Sequence, residues 1–346
     1  MPNLKIVLIG CGRIAQLVHL RVLTNLSGVE LAAIAESDPE RREEAAVLAP
    51  KAVVLHSYHE LLKMRDLQAV VICLPPALHA ETAIASFHAG KHVYLEKPIA
   101  TNLADAHAIV EAWRKAGTVG MMGFNYRFNE FYQSAKQYIL SGRLGNLVAV
   151  RTVFSSAAHE LPAWKRTRQD GGGALLDLAS HHLDLIRFLF GLPIEEVSGR
   201  IRSQHSECDS AILQMRLTDD LLIQSFFSIG SVDEDRFEIY GKSGKLMLDR
   251  YAGDLKITAP EFEYGRLSQI SRELSGVTAC VKRILNSPGE QSFSAALRAF
   301  VSAASENQTK VSPDLDDGYY SLAVIEAAEE SARTGRTVIM NAMESF

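Results

Sequence analysis

The feature that most constrains this chain is a short apolar run that breaks into glycines. Lys5-Ile6-Val7-Leu8-Ile9 has no polar alternation, the pattern of a strand buried on both faces. It runs directly into Gly10-Cys11-Gly12-Arg13-Ile14-Ala15. A helix is predicted from there through Leu26, with apolar Ile14, Leu17, Val18, Val22 and Leu26 at mostly three-to-four spacing. G-x-G-x-x-A between a strand and a helix is the dinucleotide fingerprint in its required context. Gly10 permits the tight turn, Gly12 lets the backbone approach a pyrophosphate, and Ala15 allows close helix–strand packing. The diphosphate would sit on the N–H groups at the helix start, with Arg13 and Ile14 beside it.

Glycine-rich turns also occur without ligands, so the second strand carries weight. Val29–Ala35 ends at Glu36, some 20 residues past the glycines, where a carboxylate accepts from the adenosine ribose hydroxyls. A carboxylate there repels a 2′-phosphate, which favours NAD; Ser37, Arg41 and Arg42 keep NADP as the alternative. Asp38-Pro39 caps a charged helix. A further helix is expected near 58–64, then a buried strand, Ala69–Leu74, that stops at Pro75-Pro76, with His79 following. The next strand ends His92-Val93-Tyr94-Leu95-Glu96-Lys97-Pro98, and a helix near 103–116 leads to a strand over 119–124. Strands alternating with helices of this length define a doubly wound parallel sheet, in which Lys97 points into the ligand crevice at the strand ends.

The second half differs in texture. After a helix near 130–141, strands are predicted at 147–154, 196–203, 211–216, 221–227, 236–240 and 245–248, with Gly241-Lys242-Ser243-Gly244 as a hairpin turn. The fold class is therefore an α/β N-terminal Rossmann domain, residues 1–124, followed by an α+β domain, residues 125–346, with an open, mainly antiparallel sheet. A helical stretch at 265–285 carries apolar Leu267, Ile270, Leu274, Val277, Val281 and Ile284 as a narrow seam. Helices near 293–306 and 316–334 close the chain.

Bulk properties narrow the partners. The 346 residues carry a formal net charge of −5, which gives no reason to expect nucleic acid or an anionic membrane. The four cysteines form no C-x-x-C pair, so neither a disulfide framework nor a zinc site is indicated; Cys11 and Cys73 read as small core residues. Only four residues precede the first strand and no apolar run reaches membrane-spanning length, so the cytoplasm is the default compartment.

A second chemical cluster opens at Gly171-Gly172-Gly173 and continues through Asp177, His181 and Asp184. Spacing of four and three places these three side chains on one helical face, with His182 about 100° away. The glycines would let the chain pass close to a ligand. Asp177 and His181 could be a structural pair or metal ligands, but no third ligand has recognisable spacing, so no metal is expected. A carboxylate near an imidazole also orients a general acid/base near neutral pH.

Together these pieces resemble the glucose–fructose oxidoreductase / inositol dehydrogenase / rhizopine-catabolism (Gfo/Idh/MocA) family. The resemblance rests on Gly10–Ala15, Pro75-Pro76-Ala77-Leu78-His79, Gly90-Lys91-His92-Val93, Glu96-Lys97-Pro98, Asn125-Tyr126-Arg127 and the run from Gly171 to Asp184. Ala179 stands where the family often has glycine. The resemblance implies Lys97, Asp177 and His181 as the catalytic group: His181 takes the hydroxyl proton, Asp177 orients it or holds a neighbouring hydroxyl, and Lys97 stabilises the developing alkoxide. It also implies NAD contacts from Gly10, Gly12, Arg13, Ile14, Glu36, Leu74, Pro75, His79, Glu96 and Lys97, and a homodimer or homotetramer.

The activity so implied is hydride transfer at a secondary alcohol carbon of a sugar, polyol or sugar nucleotide. Arg127, Trp164 and Arg168 are candidate substrate contacts along with Asp177 and His181; His159, Lys165 and Arg166 lie nearby in sequence. Two other readings fit the same fold: an NAD-dependent glycoside-hydrolase-type enzyme, and a non-catalytic cofactor-binding regulator.

Overall fold

The computed structural model describes residues 3–157, 160–258 and 291–340. The seam at 265–285 and His159 lie outside them. The chain divides into two compact units that are discontinuous in sequence. The first comprises Met1–Phe128, Leu161–Asp184 and Ser292–Glu326; the second comprises Asn129–Glu160, Leu185–Gln291 and Ala327–Phe346.

The first unit is built on a six-stranded sheet in the order β3-β2-β1-β4-β5-β6. Its strands are β1 (Leu4–Ile9), β2 (Val29–Ala35), β3 (Val53–Leu55), β4 (Ala69–Ile72), β5 (His92–Leu95) and β6 (Gly120–Met122). Every pairing is parallel, as the doubly wound pattern requires. The order reverses between β1 and β4, which is where such sheets open a ligand crevice. Ile6, Leu8, Val71, Tyr94 and Met121 are fully or almost fully buried, packed with Leu20 and Leu23 on one helix and Leu297 and Phe300 on another, Gln291–Glu306. Edge strand β3 had no sequence signature: it is three residues long and Val53 is exposed. The connecting helices begin at side-chain caps. Asp38 accepts from the Arg41 N–H before Pro39–Leu48, and Asn102 accepts from the Asp105 N–H before Leu103–Ala116. Gly117, left-handed at φ 62°, ends the latter helix.

The helix after the fingerprint differs from expectation in an informative way. It begins as a π-helical turn, Ala15–His19, and continues as an α-helix, Leu20–Leu23. The wider turn shifts the buried face, which becomes Ala15, His19, Leu20 and Leu23, while Ile14 and Leu17 are exposed. A second π-helical turn, Leu175–Ala179, precedes the helix Ser180–Phe190.

The second unit holds an eight-stranded sheet in the order β13-β12-β11-β7-β10-β9-β8-β14. These strands are β7 (Leu147–Ala157), β8 (Ile194–Arg202), β9 (Ser210–Leu217), β10 (Leu222–Ser231), β11 (Glu234–Gly241), β12 (Gly244–Asp249), β13 (Asp254–Thr258) and β14 (Val338–Ile339). All pairings are antiparallel except β10 with β7. The predicted hairpin at Gly241–Gly244 joins β11 to β12. The two outermost strands were not anticipated: β13 is five residues long and carries Asp254 and Lys256, and β14 has two residues. Alternate residues of β9 and β10 are buried, leaving Ile212 and Leu222 exposed on one face.

Candidate active site

Gly10 adopts φ +89°, and a Cβ there would lie 2.6 Å from the carbonyl oxygen of Cys73, so only glycine fits this turn. A Cβ on Gly12 would meet nothing within 4 Å, so the backbone there is open to a ligand. Arg13 and Ile14 are exposed beside it, and no side chain caps the following helical turn. Those first N–H groups are therefore placed for an anion. Glu36 is buried; its Oε2 accepts the Cys11 N–H at 2.6 Å and its Oε1 accepts the Asp38 N–H at 2.9 Å. These bonds tie the glycine turn to the end of β2; Ser37 Oγ also donates to Oε1 at 3.5 Å, and Oε2 keeps a further lone pair for a ribose hydroxyl. The cradle, the open backbone and the acceptor set fit a dinucleotide.

Leu74 and Pro75 are part-exposed at the end of β4, and the Leu74 side chain lies over Gly10. His79 is fully buried: Nδ1 is 2.8 Å from the Pro98 carbonyl oxygen and Nε2 is 2.9 Å from that of Leu74. Burial depresses its pKa against the pull of those carbonyls. Both nitrogens are thus engaged by main chain, and His79 braces the two loops that frame the site.

Glu96-Lys97-Pro98 follows β5, and the Lys97–Pro98 peptide is cis. The Glu96 carboxylate is buried. One of its oxygens lies 2.7 Å from Nε2 of His19, and the other accepts the Lys97 N–H at 3.2 Å. A Cβ at Gly123 would fall 2.9 Å from this carboxylate, so glycine is what leaves it room. Sequence reasoning missed His19. Its signal was a polar residue on the fingerprint helix, concealed because the α-helical stripe assigned other residues to the buried face.

Lys97 reaches the second cluster. Its Nζ donates to the Asp177 carbonyl oxygen at 2.7 Å and to Asp177 Oδ1 at 3.2 Å. Lys165 Nζ donates to the other carboxylate oxygen at 2.7 Å. One carboxylate is therefore shared by two ammonium groups, all three side chains being only 17–24% exposed. Burial pushes the Asp177 carboxyl up, but Lys165 and Lys97 outweigh it and hold it well below the usual carboxylate range. An Asp177 so held stays ionised at neutral pH. Its carboxylate anchors both lysines.

His181 is largely buried, its ring stacked on Tyr126 at 4.2 Å and 13°. Asp184, predicted to share the reactive face, is turned to a different partner. It accepts from Arg127 through Nε at 2.9 Å and Nη2 at 2.5 Å, and Arg127 Nη1 lies 3.0 Å from Asp317. Burial opposes the Arg127 charge, yet Asp184 and Asp317 more than offset it and bind the proton more firmly. Arg127 is 6% exposed, with two carboxylates around it.

Trp164 and Lys165 lie on a short turn, Ala163–Arg166, with the lysine ammonium 5.4 Å from the Trp164 ring centre. Arg168 donates to the Thr101 carbonyl oxygen at 2.9 Å. The glycine triplet approaches protein at two of its positions. A Cβ on Gly171 would lie 2.6 Å from Pro76, and one on Gly172 would lie 2.2 Å from the Lys165 carbonyl oxygen. These glycines let the Lys165 turn close over the Asp177 helix. Among the described residues, no cluster of histidine, cysteine, aspartate or glutamate could hold a metal. None of the described helices is long and apolar enough to cross a membrane.

A parallel sheet with this cradle, and a lysine–carboxylate cluster at its strand ends, defines a dinucleotide-dependent oxidoreductase. The chain belongs to the Gfo/Idh/MocA oxidoreductase family: residues 4–124 match its NAD-binding Rossmann fold and residues 136–340 its C-terminal alpha/beta domain. It is similar to myo-inositol 2-dehydrogenase of Thermotoga maritima, 29% identical over 71% of this chain and 75% of that protein. It is also similar to inositol 2-dehydrogenase of Acidothermus cellulolyticus, 28% identical over 97% and 94%. Among solved structures, levoglucosan dehydrogenase in complex with NADH and L-sorbose superposes with a TM-score of 0.81 at 22% identity, covering 99% and 100% of the two chains. The WlbA dehydrogenase of Bordetella pertussis, in complex with NADH and UDP-GlcNAcA, gives 0.83 at 22% identity over 98% of each.

Proposed function

We propose that this oxidoreductase removes hydride from, or returns it to, a secondary carbinol of a sugar, polyol or sugar nucleotide, with Lys97, Asp177 and His181 as the catalytic group. The observation that carries the reading is the Asp177 carboxylate gripped by Lys97 at the end of β5, beside a dinucleotide cradle. Names of the relatives support the substrate class: they include a myo-inositol 2-dehydrogenase and a levoglucosan dehydrogenase. NAD, when bound, supplies the hydride acceptor. The protein's own residues handle the proton and the developing charge. Lys97 spends two N–H groups on Asp177, which leaves its third donor for the substrate oxygen as negative charge builds. His181 takes or returns the hydroxyl proton, its ring plane fixed by Tyr126. Asp177 keeps Lys97 aimed. Trp164, Lys165 and Arg168 are the substrate contacts of the same unit, and Glu36 holds the adenosine ribose, favouring NAD over NADP. Self-association into a dimer or tetramer, as the family resemblance implies, belongs to the same proposal.

The test is NADH formation by the full-length protein across inositols, levoglucosan, free aldoses and UDP-sugars, with NAD and NADP compared. Turnover of at least one secondary alcohol with NAD is expected. Release of an aglycone from aryl glycosides without net NADH would instead favour the glycosidase-type reading. NAD binding without any turnover would favour a regulator.

A further inference from the structure

His19 is a buried polar residue that the catalytic reading does not use although it touches the catalytic strand end. Its side chain has no exposed surface, and it sits on the π-helical turn directly behind the glycine fingerprint. Tyr94 and Phe293 pack edge-on against the ring, with centroids at 5.8 and 5.9 Å. Nδ1 has no hydrogen-bond partner among the described residues, so the ring's polar engagement is Nε2 with Glu96 at 2.7 Å. The Glu96 carboxylate in turn accepts the main-chain N–H of Lys97 and lies against Gly123, where a Cβ would fall 2.9 Å from it.

We propose that His19 is a positioning residue: through Glu96 it locks the fingerprint helix, where the cofactor diphosphate would lie, to the backbone that presents Lys97. A buried imidazole–carboxylate pair is a poor device for stability, because desolvation offsets most of the attraction. It is a good device for orientation, because a donor of fixed direction admits one carboxylate rotamer. The inference rests on the dinucleotide reading of the fingerprint, not on which alcohol is oxidised.

The experiment uses the full-length protein and three variants, His19→Leu, His19→Gln and Glu96→Gln. Three quantities are read on folded protein: the NADH dissociation constant by fluorescence, the acylation rate of Lys97 by acetic anhydride with peptide mass spectrometry, and the thermal midpoint. For His19→Leu we expect NADH affinity to fall ~10-fold and the Lys97 acylation rate to change by ~5-fold, the scale of one lost hydrogen bond to a charged group. His19→Gln keeps an amide donor within reach and should stay within ~2-fold of wild type on both readouts. A folded His19→Leu protein with both values within ~2-fold of wild type, and only its thermal midpoint lowered, overturns the proposal. Should His19→Leu fail to fold, the isosteric Glu96→Gln decides: an unchanged Lys97 acylation rate overturns the proposal, and a change of ~3-fold or more supports it. Failure of the wild type to bind NADH would strike the dinucleotide reading instead, and the acylation rates would still judge the His19 link.

Discussion

Two charge clusters lie in the first unit, and their contrast separates the proposed catalytic group from a more deeply buried ion pair. Around Arg127, one guanidinium meets two carboxylates, Asp184 and Asp317, with the arginine side chain only 7% exposed. Around Asp177, one carboxylate meets two ammonium groups, those of Lys97 and Lys165, with 17–24% of each side chain exposed. The first arrangement binds a rigid fork on two sides and retains little surface to offer a ligand. The second keeps donors in reserve, since three N–H groups on each lysine exceed what one carboxylate absorbs. Both clusters draw on the same stretch of helix, Asp177 through Asp184, so residue type alone did not distinguish them.

The widest gap between the clusters should show in stability. Arg127→Met should destabilise the protein by ~3–5 kcal/mol, because two carboxylates would be left buried without their cation. Lys165→Met should cost less than ~1 kcal/mol, because Lys97 still neutralises Asp177. Denaturant titration of both variants checks this, and equal losses would erase the distinction.

Catalysis should show the converse. His181→Ala should lower turnover by at least ~100-fold while NADH affinity stays within ~3-fold, as expected for loss of an acid/base group. Steady-state rates paired with fluorescence titration read the two effects separately.

A pH test addresses the Arg127 side alone. Asp314 has its carboxyl pushed up to about 6, chiefly by burial and then by the charge of Asp317. Its folded pKa lies above the ordinary value of 3.8, so the native state binds the proton more tightly. Its contribution is therefore favourable below about pH 4 and is lost as pH rises through 6. Asp314→Asn keeps the acceptor for the Asp317 N–H, at 3.0 Å in the wild type. The variant should flatten the stability profile between pH ~4 and ~6 and gain ~1–2 kcal/mol at pH 7. Thermal midpoints across that range check the sign.

The smallest effect is expected at Lys165. Lys165→Met should raise KM by ~10-fold with less change in kcat, the pattern of a residue that holds substrate without reacting with it.

Much of this was legible in the sequence because the decisive constraints are local. The Gly10 turn, the capped helices and the buried parallel strands each follow from a few adjacent residues. The hairpin at Gly241–Gly244 was equally plain. What escaped depends on contacts distant in sequence or on departures from ideal geometry. The π-helical turn moved His19 into the interior, and no α-helical stripe signals such a shift. Asp184 fits the reactive face by spacing, but Arg127, 57 residues away, claims it. Gly171 and Gly172 read as room for a ligand, whereas their close neighbours are Pro76 and the Lys165 turn. Edge strands β3 and β14 were too short to carry a pattern.

The central claim is that the Asp177 cluster carries the chemistry through Lys97. Lys97→Ala, assayed for NADH formation on whichever alcohol the wild type oxidises, tests it most directly, with NADH binding measured in parallel. A fall in turnover of at least ~100-fold with binding largely retained is the predicted result. Turnover within ~3-fold of wild type would contradict the account, because an electrostatic group on the reacting oxygen is not dispensable.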